Sequence, residues 1–365
     1  MTQIAAVRSA FPPHRYAQAE ITGMVADLGG FGRAERALVD RLHGNSGVKF
    51  RHLAFPIEVY REVHGIGISN ERYVGAATGL GEQALRDALG EAGVLASDLD
   101  LLIVTSVTGV IVPSIDALLI PRLGLRPDVK RLPIFGLGCV AGAAALARLH
   151  DYLLAWPGHN AALVSVEVCS LCWPRTDPTT ADLVASGLFA DGAAAVVARG
   201  GQAGSEQGGR SRADGASGAG GGLRIIATHS KVCPDSNDAL GWRLGPAGFR
   251  IVLTAGLSDV IERELAAVVT SFLAAHGLTV DDIGTWMAHP GGPKVIDAVQ
   301  HSLKLPDSAM AVSRRSLAEV GNLSSVSVLH VMEMTRVLCV PPAGSYGMMI
   351  GLGPGVSIEL ILLRW

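Results

Sequence analysis

The sequence predicts an α/β protein built from two similar halves. Three observations lead to this prediction: helical segments alternate with short apolar strands, a comparable order of elements occurs twice, and a Gly- and Ser-rich stretch separates the two occurrences. Of the 365 residues, 49% are hydrophobic and 17% are charged, which is typical of a chain that buries much of itself. We expect residues 1–222 to form an N-terminal half and residues 223–365 a C-terminal half, with a flexible loop at about 199–222.

The first half contains two helical and four strand patterns. Apolar residues at helical spacing predict a helix over about 73–93, and an Ala-rich segment that starts at Gly138 predicts another that ends near Trp156. Residues 100–106 and 132–136 form short, continuously apolar runs, so both are predicted as buried strands. Two more apolar strands are predicted over 161–168 and 193–198.

The second half has a similar order of helices and strands, although the residue identity between the halves is too low to prove a duplication. Its predicted helices are 258–276, 293–303 and 322–339, and its predicted strands are 285–288, 346–350 and 356–363.

Charge and hydropathy exclude several classes of partner and location. Lys and Arg number 30 and Asp and Glu number 33, a net charge of -3, so no basic surface for nucleic acid is expected. No uninterrupted apolar run is long enough for a membrane span, and the first residues lack a secretory signal pattern, so we expect a cytoplasmic protein. The five cysteines, an odd number, are expected to be reduced thiols.

Cys139 is a candidate nucleophile. It follows a Gly-Leu-Gly turn and begins an Ala- and Gly-rich helix, where free N–H groups and the helix dipole would lower the pKa of a thiol. The alternative is a small buried cysteine in a core helix, which the helical position by itself favours.

Two polar residues of the second half are further candidates. His289 lies between a predicted strand and a Pro- and Gly-rich turn, which would aim its imidazole at the edge of the sheet; an incidental histidine in a structural turn is the alternative. Asn322 stands where a helix is predicted to begin, so it is either a site residue or simply the N-cap of that helix.

Taken together, these motifs resemble a known family. Residues 138–142 (Gly-Cys-Val-Ala-Gly), 289–293 (His-Pro-Gly-Gly-Pro), 321–325 (Gly-Asn-Leu-Ser-Ser) and 351–355 (Gly-Leu-Gly-Pro-Gly) are similar to the ordered motifs of type III polyketide synthases, the chalcone-synthase-like branch of the thiolase superfamily. The resemblance covers nearly the whole chain apart from the Gly-rich stretch. It implies a thiolase-like, five-layer αβαβα fold made from two related halves.

The resemblance also implies a mechanism. Cys139, paired with His289, would attack an acyl-CoA thioester and hold the starter covalently. Malonyl-CoA would lose carbon dioxide, and His289 and the Asn322 amide would stabilise the resulting enolate as a two-donor oxyanion hole. No metal and no cofactor are expected, because the substrates, acyl-CoA and malonyl-CoA, supply the reacting groups.

Further site residues follow from the same resemblance. Phe189 matches the gatekeeper between the CoA tunnel and the cavity. Apart from the resemblance, we expect basic residues such as Lys49 and Arg51 at the CoA entrance. The other residues expected to bind substrate or line the cavity are Val107, Val112, Cys169, Cys172, Ile251, Gly353 and Pro354.

Small apolar side chains at Val107, Val112 and Ile251 suggest a cavity extended for an alkyl chain, since each buried methylene contributes about 0.8 kcal/mol. The chain is most similar to bacterial alkylpyrone and alkylresorcinol synthases, so we expect a fatty acyl-CoA starter and ring closure to such a product. A homodimer is expected as well, because residues 110–125 carry few charges and because the resemblance places Val112 at the partner's cavity. The nearest alternative is a ketoacyl-synthase III-like enzyme that performs a single condensation.

Overall fold

A computed structural model of the chain describes residues 1–63, 65–173, 178–201, 222–245, 248–254 and 256–365. The strands are β1 (Thr2–Ala10), β2 (His14–Ala17), β3 (Phe50–Leu53), β4 (Leu101–Thr105), β5 (Lys130–Ile134), β6 (Asn160–Val168), β7 (Asp191–Gly200), β8 (Arg224–Val232), β9 (Leu240–Gly245), β10 (Gly248–Leu253), β11 (Ile283–Ala288), β12 (Tyr346–Gly353) and β13 (Ser357–Arg364). The helices are α1 (Gln18–Leu28), α2 (Arg33–Gly44), α3 (Gly65–Ala92), α4 (Ile115–Leu123), α5 (Ala141–Ala155), α6 (Thr180–Leu188), α7 (Leu257–Ala274), α8 (Pro293–Ser302), α9 (Ala311–Val320) and α10 (Ser327–Leu338).

Nine strands form one mixed sheet in the order β11-β12-β13-β8-β1-β7-β6-β4-β5. The five strands from β1 to β5 in this order come from the first half, and the other four come from the second half. Among the described strands, the two groups join where β1 pairs with β8, through Thr2 opposite Ile225 and Gln3 opposite Arg224. The sheet therefore consists of two groups of strands, one from each half, that join at one corner.

The side chains of the strands divide the interior into three cores. On β6, Ala162 and Val164 face one core and Ala161 and Leu163 face another, as the period of two along a strand requires. The central core holds α5 and α10, which contact strands of both halves. On the outer faces, α3 covers the first group of strands and α7 the second. The layers are therefore α3, the first group of strands, α5 with α10, the second group of strands and α7. This order confirms the predicted αβαβα fold.

Three predictions about elements need correction. Strand β5 is mostly exposed, because it is an edge strand of the sheet, whereas residues 132–136 were expected to be buried. Helix α10 begins at Ser327, so Asn322 does not cap it. Strand β7 continues to Gly200, and most of the predicted loop, residues 202–221, lies outside the described residues.

Within the described part of the chain, no helix combines the length and the apolar character that crossing a membrane would require.

Candidate active site

The candidate nucleophile lies in a tight turn that only glycine permits. Cys139 is the middle residue of a 3-10 turn, Gly138–Val140, directly before α5. Gly138 has a φ of 55°, and a Cβ on it would lie 2.6 Å from Pro354 Cγ. The late Gly-Pro-Gly segment therefore packs directly against the turn that carries the thiol.

His289 follows the end of β11. Its backbone N–H donates to the carbonyl of Ile350 on the neighbouring strand at 2.9 Å, which fixes the position of the residue. The imidazole is buried beside Gly291, where a Cβ would lie 3.3 Å from Nε2. Nδ1 is buried and has no hydrogen-bond partner among the described residues.

Asn322 is held by its backbone and by its side chain. It forms a β-bridge with Phe189, and its amide Oδ1 accepts hydrogen bonds from Ser324 N (2.8 Å) and Ser327 Oγ (3.3 Å). Because Oδ1 accepts from a backbone N–H, the orientation of the amide is fixed, and Nδ2 donates to the Gly291 carbonyl at 3.1 Å. Among the described residues, the Gly291 carbonyl is the one hydrogen-bond acceptor seen for Nδ2, which has a second N–H.

A buried polar network that was not predicted lies behind the thiol. Ser324 Oγ is 3.5 Å from Cys139 Sγ, and Ser324 has a φ of 53°, in the left-handed region. Glu167 is fully buried and accepts hydrogen bonds from Ser325 Oγ, from Thr108 Oγ1 (3.0 Å) and from the backbone. Burial raises the pKa of Glu167. The signal in the sequence was a single carboxylate inside the apolar run of β6.

All three candidate catalytic residues line one cavity of about 580 Å³. Phe189, Ile251 and Gly353 also lie in its wall, as predicted from the sequence. Most of the other lining side chains are aliphatic, and among the described lining residues Lys294, which is exposed, is the only lysine or arginine. A volume in the range of about 300–1,000 Å³ suits a small molecule or an extended chain.

The thiol and the imidazole are both neutral in the free chain. Burial raises the pKa of the Cys139 thiol to about 12, and burial lowers the pKa of His289 to about 4. For the thiol, burial acts against the lowering that was expected at a helix start, and it outweighs the Ser324 hydrogen bond, which lowers the pKa.

Several predicted pocket residues lie elsewhere. Val107 and Cys169 are buried outside the cavity wall, and Cys172 lines a separate small pocket beside Phe249. Pro354 supports the Cys139 turn instead of lining the cavity. Val112 is 93% exposed, so it does not line the cavity of its own chain.

The structure places the two residues predicted at the CoA entrance in different environments, one buried and one exposed. Arg51 is fully buried, because Arg51 and Leu53 are the inward positions of β3. It therefore cannot reach CoA, and this prediction is wrong. Lys49 is exposed and lines a different surface pocket with Arg15 and Phe50, so its contact with CoA stays a prediction.

Comparison with protein-family models gives two matches. The model described as "Chalcone and stilbene synthases, N-terminal domain" matches residues 4–202, and the model described as "Chalcone and stilbene synthases, C-terminal domain" matches residues 224–365.

Individual relatives agree with the family models. A 1,3,6,8-tetrahydroxynaphthalene synthase of Streptomyces peucetius subsp. caesius is 52% identical over 364 residues, covering 100% of this chain and 93% of the relative. A synthase of the same name from Streptomyces griseus is 34% identical over 334 residues, covering 92% of this chain and 85% of the relative.

Solved structures are similar as well. The 1,3,6,8-tetrahydroxynaphthalene synthase of Streptomyces coelicolor A3(2), a bacterial type III polyketide synthase, superposes with a TM-score of 0.89 at 31% identity, covering 100% of this chain and 99% of that chain. PKS-I of the brown alga Ectocarpus siliculosus gives a TM-score of 0.90 at 28% identity, covering 100% and 98%.

Proposed function

The chain belongs to the chalcone and stilbene synthase family and is a type III polyketide synthase, and on this premise we propose that Cys139 carries a polyketide built from malonyl-CoA. The observation that carries the proposal is that Cys139, His289 and Asn322 line one largely aliphatic cavity.

The first step loads a starter onto Cys139. His289 accepts the thiol proton as Sγ attacks the thioester carbonyl, the bond to the CoA sulfur breaks, and the proton passes to that sulfur. A neutral imidazole is required for this step, and the lowered pKa of His289 keeps it neutral at physiological pH.

The second step is decarboxylation of the extender unit. Apart from exposed Lys294, the described residues of the cavity wall include no lysine or arginine that could pair with a malonyl carboxylate. A desolvated, unpaired carboxylate is unfavourable, and loss of carbon dioxide moves its charge to the thioester oxygen.

The new oxyanion would be stabilised by two neutral donors, the second N–H of Asn322 Nδ2 and His289 Nε2–H, in the imidazole tautomer that carries its proton on Nε2. The loading step uses the other tautomer, with the proton on Nδ1, so that Nε2 can accept the thiol proton. The enolate carbon then attacks the thioester on Cys139, so a carbon–carbon bond forms and the thiolate leaves. The thiolate can accept the growing chain again.

For the starter we favour malonyl-CoA itself, with 1,3,6,8-tetrahydroxynaphthalene as the product. A relative of that name is 52% identical across the whole of this chain. A naphthalene skeleton has ten carbons, which five malonyl units supply once each has lost carbon dioxide. The position of Val107 outside the cavity wall argues in the same direction, because the expected alkyl extension included it.

A fatty acyl-CoA starter that gives an alkylpyrone or alkylresorcinol is the second candidate. The aliphatic cavity wall, with Leu188, Leu257 and Ile261, favours it, because each methylene that enters such a wall contributes about 0.8 kcal/mol.

One experiment separates the two candidates. The purified protein is incubated with malonyl-CoA alone and with malonyl-CoA plus acyl-CoAs of increasing length, and product masses are read, with Cys139→Ala as the control. We expect a pentaketide aromatic product from malonyl-CoA alone. Product that forms only when a fatty acyl-CoA is present would overturn the malonyl starter in favour of the alkyl one.

We also propose that the enzyme is a homodimer. One edge of the first half exposes apolar side chains on β5 and in the loops next to it: Val110, Val112, Leu132, Phe135 and Leu137. Such a patch is costly to leave in water. Sedimentation should give a dimer at micromolar concentration and a monomer for Val112→Glu, and a wild-type monomer would contradict the proposal.

A further inference from the structure

The buried guanidinium of Arg51 has no role in the mechanism above. Its side chain is fully buried, and no carboxylate of the described residues lies within 4 Å of its nitrogens. Burial lowers the pKa of Arg51 to about 9, while the charge of Asp191 raises it, so Arg51 is still a cation at neutral pH. A buried cation without a close anion needs strong hydrogen-bond acceptors.

Those acceptors are the carbonyl groups at the end of α6. Arg51 Nη1 donates to the carbonyls of Ser186 at 2.6 Å and Phe189 at 2.8 Å. The last carbonyls of a helix have no partner within the helix, and they form the negative end of its dipole. A cation at this position therefore stabilises the helix end directly before the cavity residue Phe189.

Gln18, the first residue of α1, completes the arrangement. Its Oε1 accepts a hydrogen bond from Arg51 Nε at 3.0 Å, and its Nε2 donates to the carbonyl of Gly187 at 2.8 Å. Of the four carbonyls from 186 to 189, three are thus bound by Arg51 and Gln18. The fourth, that of Leu188, accepts the backbone N–H of Asn322 at 2.8 Å.

The same contacts extend to the segment that carries Asn322. Ala190 N donates to the Asn322 carbonyl at 2.9 Å, which completes the bridge between the Phe189 and Asn322 segments. Gly321, at a φ of 77°, lies against the stem of Arg51, because a Cβ there would be 3.0 Å from Arg51 Cγ. Arg51 therefore contacts both sides of the bridge but is not in the cavity wall.

We propose that Arg51 and Gln18 are positioning residues that fix the gate residue Phe189 and the oxyanion donor Asn322 relative to each other. Neither touches substrate. Loss of the pair lets the end of α6 move, so that Phe189 no longer selects starter size and the Asn322 amide no longer points at the enolate oxygen. Cys139 lies in a separate turn, Gly138–Val140, for which the described structure shows no hydrogen bond to Arg51 or Gln18, so we expect its thiol to keep most of its reactivity.

The test uses four variants of the full chain. Gln18→Met and Arg51→Met remove the donors at similar length, Arg51→Lys keeps a cation that can still donate, and Arg61→Met changes an exposed arginine in the neighbouring 3-10 segment as a matched control. Arg51→Met leaves two carbonyls without a donor and is the variant at risk of misfolding, so Gln18→Met and Arg51→Lys decide the result if it does not fold.

The first measurement needs no substrate. Amide hydrogen exchange in peptides covering 186–190 and 320–324 should accelerate about 10-fold or more in Gln18→Met, to a smaller extent in Arg51→Lys, and not in Arg61→Met. Unchanged exchange in both peptides for Gln18→Met and Arg51→Lys would overturn the proposal.

The second measurement is kinetic and rests on the proposed function for its substrate, malonyl-CoA. In Gln18→Met we expect kcat to fall about 10-fold and the selectivity among acyl-CoA starters to change, while the alkylation rate of Cys139, read by mass spectrometry, stays within about 2-fold of the wild type. Wild-type kcat and selectivity in the folded variants would refute the positioning role. A wild-type protein that does not use malonyl-CoA refutes the proposed function instead, and the exchange data then decide this inference.

Discussion

Gly142 gives the sharpest test of how the site is assembled. It lies in the first turn of α5, three residues after Cys139, and a Cβ added to it would lie 2.1 Å from the backbone oxygen of Ser325. That oxygen cannot rotate away as a side chain would, because Ser325 belongs to the 3-10 turn between Asn322 and α10. Gly142→Ala should therefore push the two turns apart.

The magnitude follows from a matched pair of substitutions. Gly79→Ala makes the same change on an exposed face of α3, where no atom lies within 4 Å of the new Cβ, so it should stabilise the protein by about 1 kcal/mol. Gly142→Ala has the same helix-propensity gain, but non-bonded carbon and oxygen atoms prefer a separation of about 3.5 Å, so the turns must separate by more than about 1 Å. Overpacking of this kind costs about 1–3 kcal/mol, and the fixed backbone places it near the upper end.

Urea unfolding of both variants measures this difference, and turnover measures its consequence. We expect Gly142→Ala to be about 3 kcal/mol less stable than Gly79→Ala, and about 10²-fold less active, because a displacement of about 1 Å separates Cys139 from Asn322. Equal stabilities and equal activities for the two variants would refute the packing argument.

Three further predictions concern the thiol, the pH dependence and the cavity. Cys139→Ala should form no product from any starter, whereas Cys169→Ala should retain turnover, and mass spectrometry should place the acyl group on Cys139. Burial lowers the pKa of His330 to about 4, so the folded state resists protonation of this residue and loses stability as the pH falls from about 6.5 to 4. In urea unfolding, the free energy of unfolding of the wild type relative to that of His330→Gln should fall by on the order of 3 kcal/mol over this pH range. A difference that stays constant with pH would contradict this prediction. Ile251→Trp should lower kcat/KM for bulky starters more than for short ones, since Ile251 lies in the cavity wall and a larger ring there fills part of the cavity.

Most helices and strands were predicted well, because the sequence patterns that indicate them depend only on residues close together in the chain. Helices α5, α7 and α8 begin and end within a few residues of the predicted bounds, and the apolar runs of β4 and β6 are buried strands. The failure at β5 has a different origin. An apolar run shows that a strand is favourable, but whether another strand covers its outer edge depends on pairing across the whole sheet.

Arg51 shows that, for a site residue as well, a local sequence pattern does not determine burial. A charged side chain between Phe50 and His52 suggested a solvent-exposed position, yet the alternation of β3 places Arg51 on the same inward face as Leu53. Its burial is tolerated because its acceptors are helix-end carbonyls 135 and 138 residues further along the chain. No local pattern contains that information, whereas the motif that carries Cys139 is local and was recognised.

The arrangement of the two halves explains how a site with a neutral thiol and a neutral imidazole can stabilise an anion. The central helices α5 and α10 each begin with a 3-10 turn, and these two turns contact each other through Cys139 with Ser324 and Gly142 with Ser325. The N-terminal turns of two helices, one from each half and each with partial positive charge, thus lie against each other next to Cys139 and Asn322. We expect an enolate oxygen that forms there to be stabilised by fixed dipoles and amide donors. Burial raises the pKa of the resting thiol to about 12, so we expect Cys139 to lose its proton to His289 during the attack and not to rest as a thiolate.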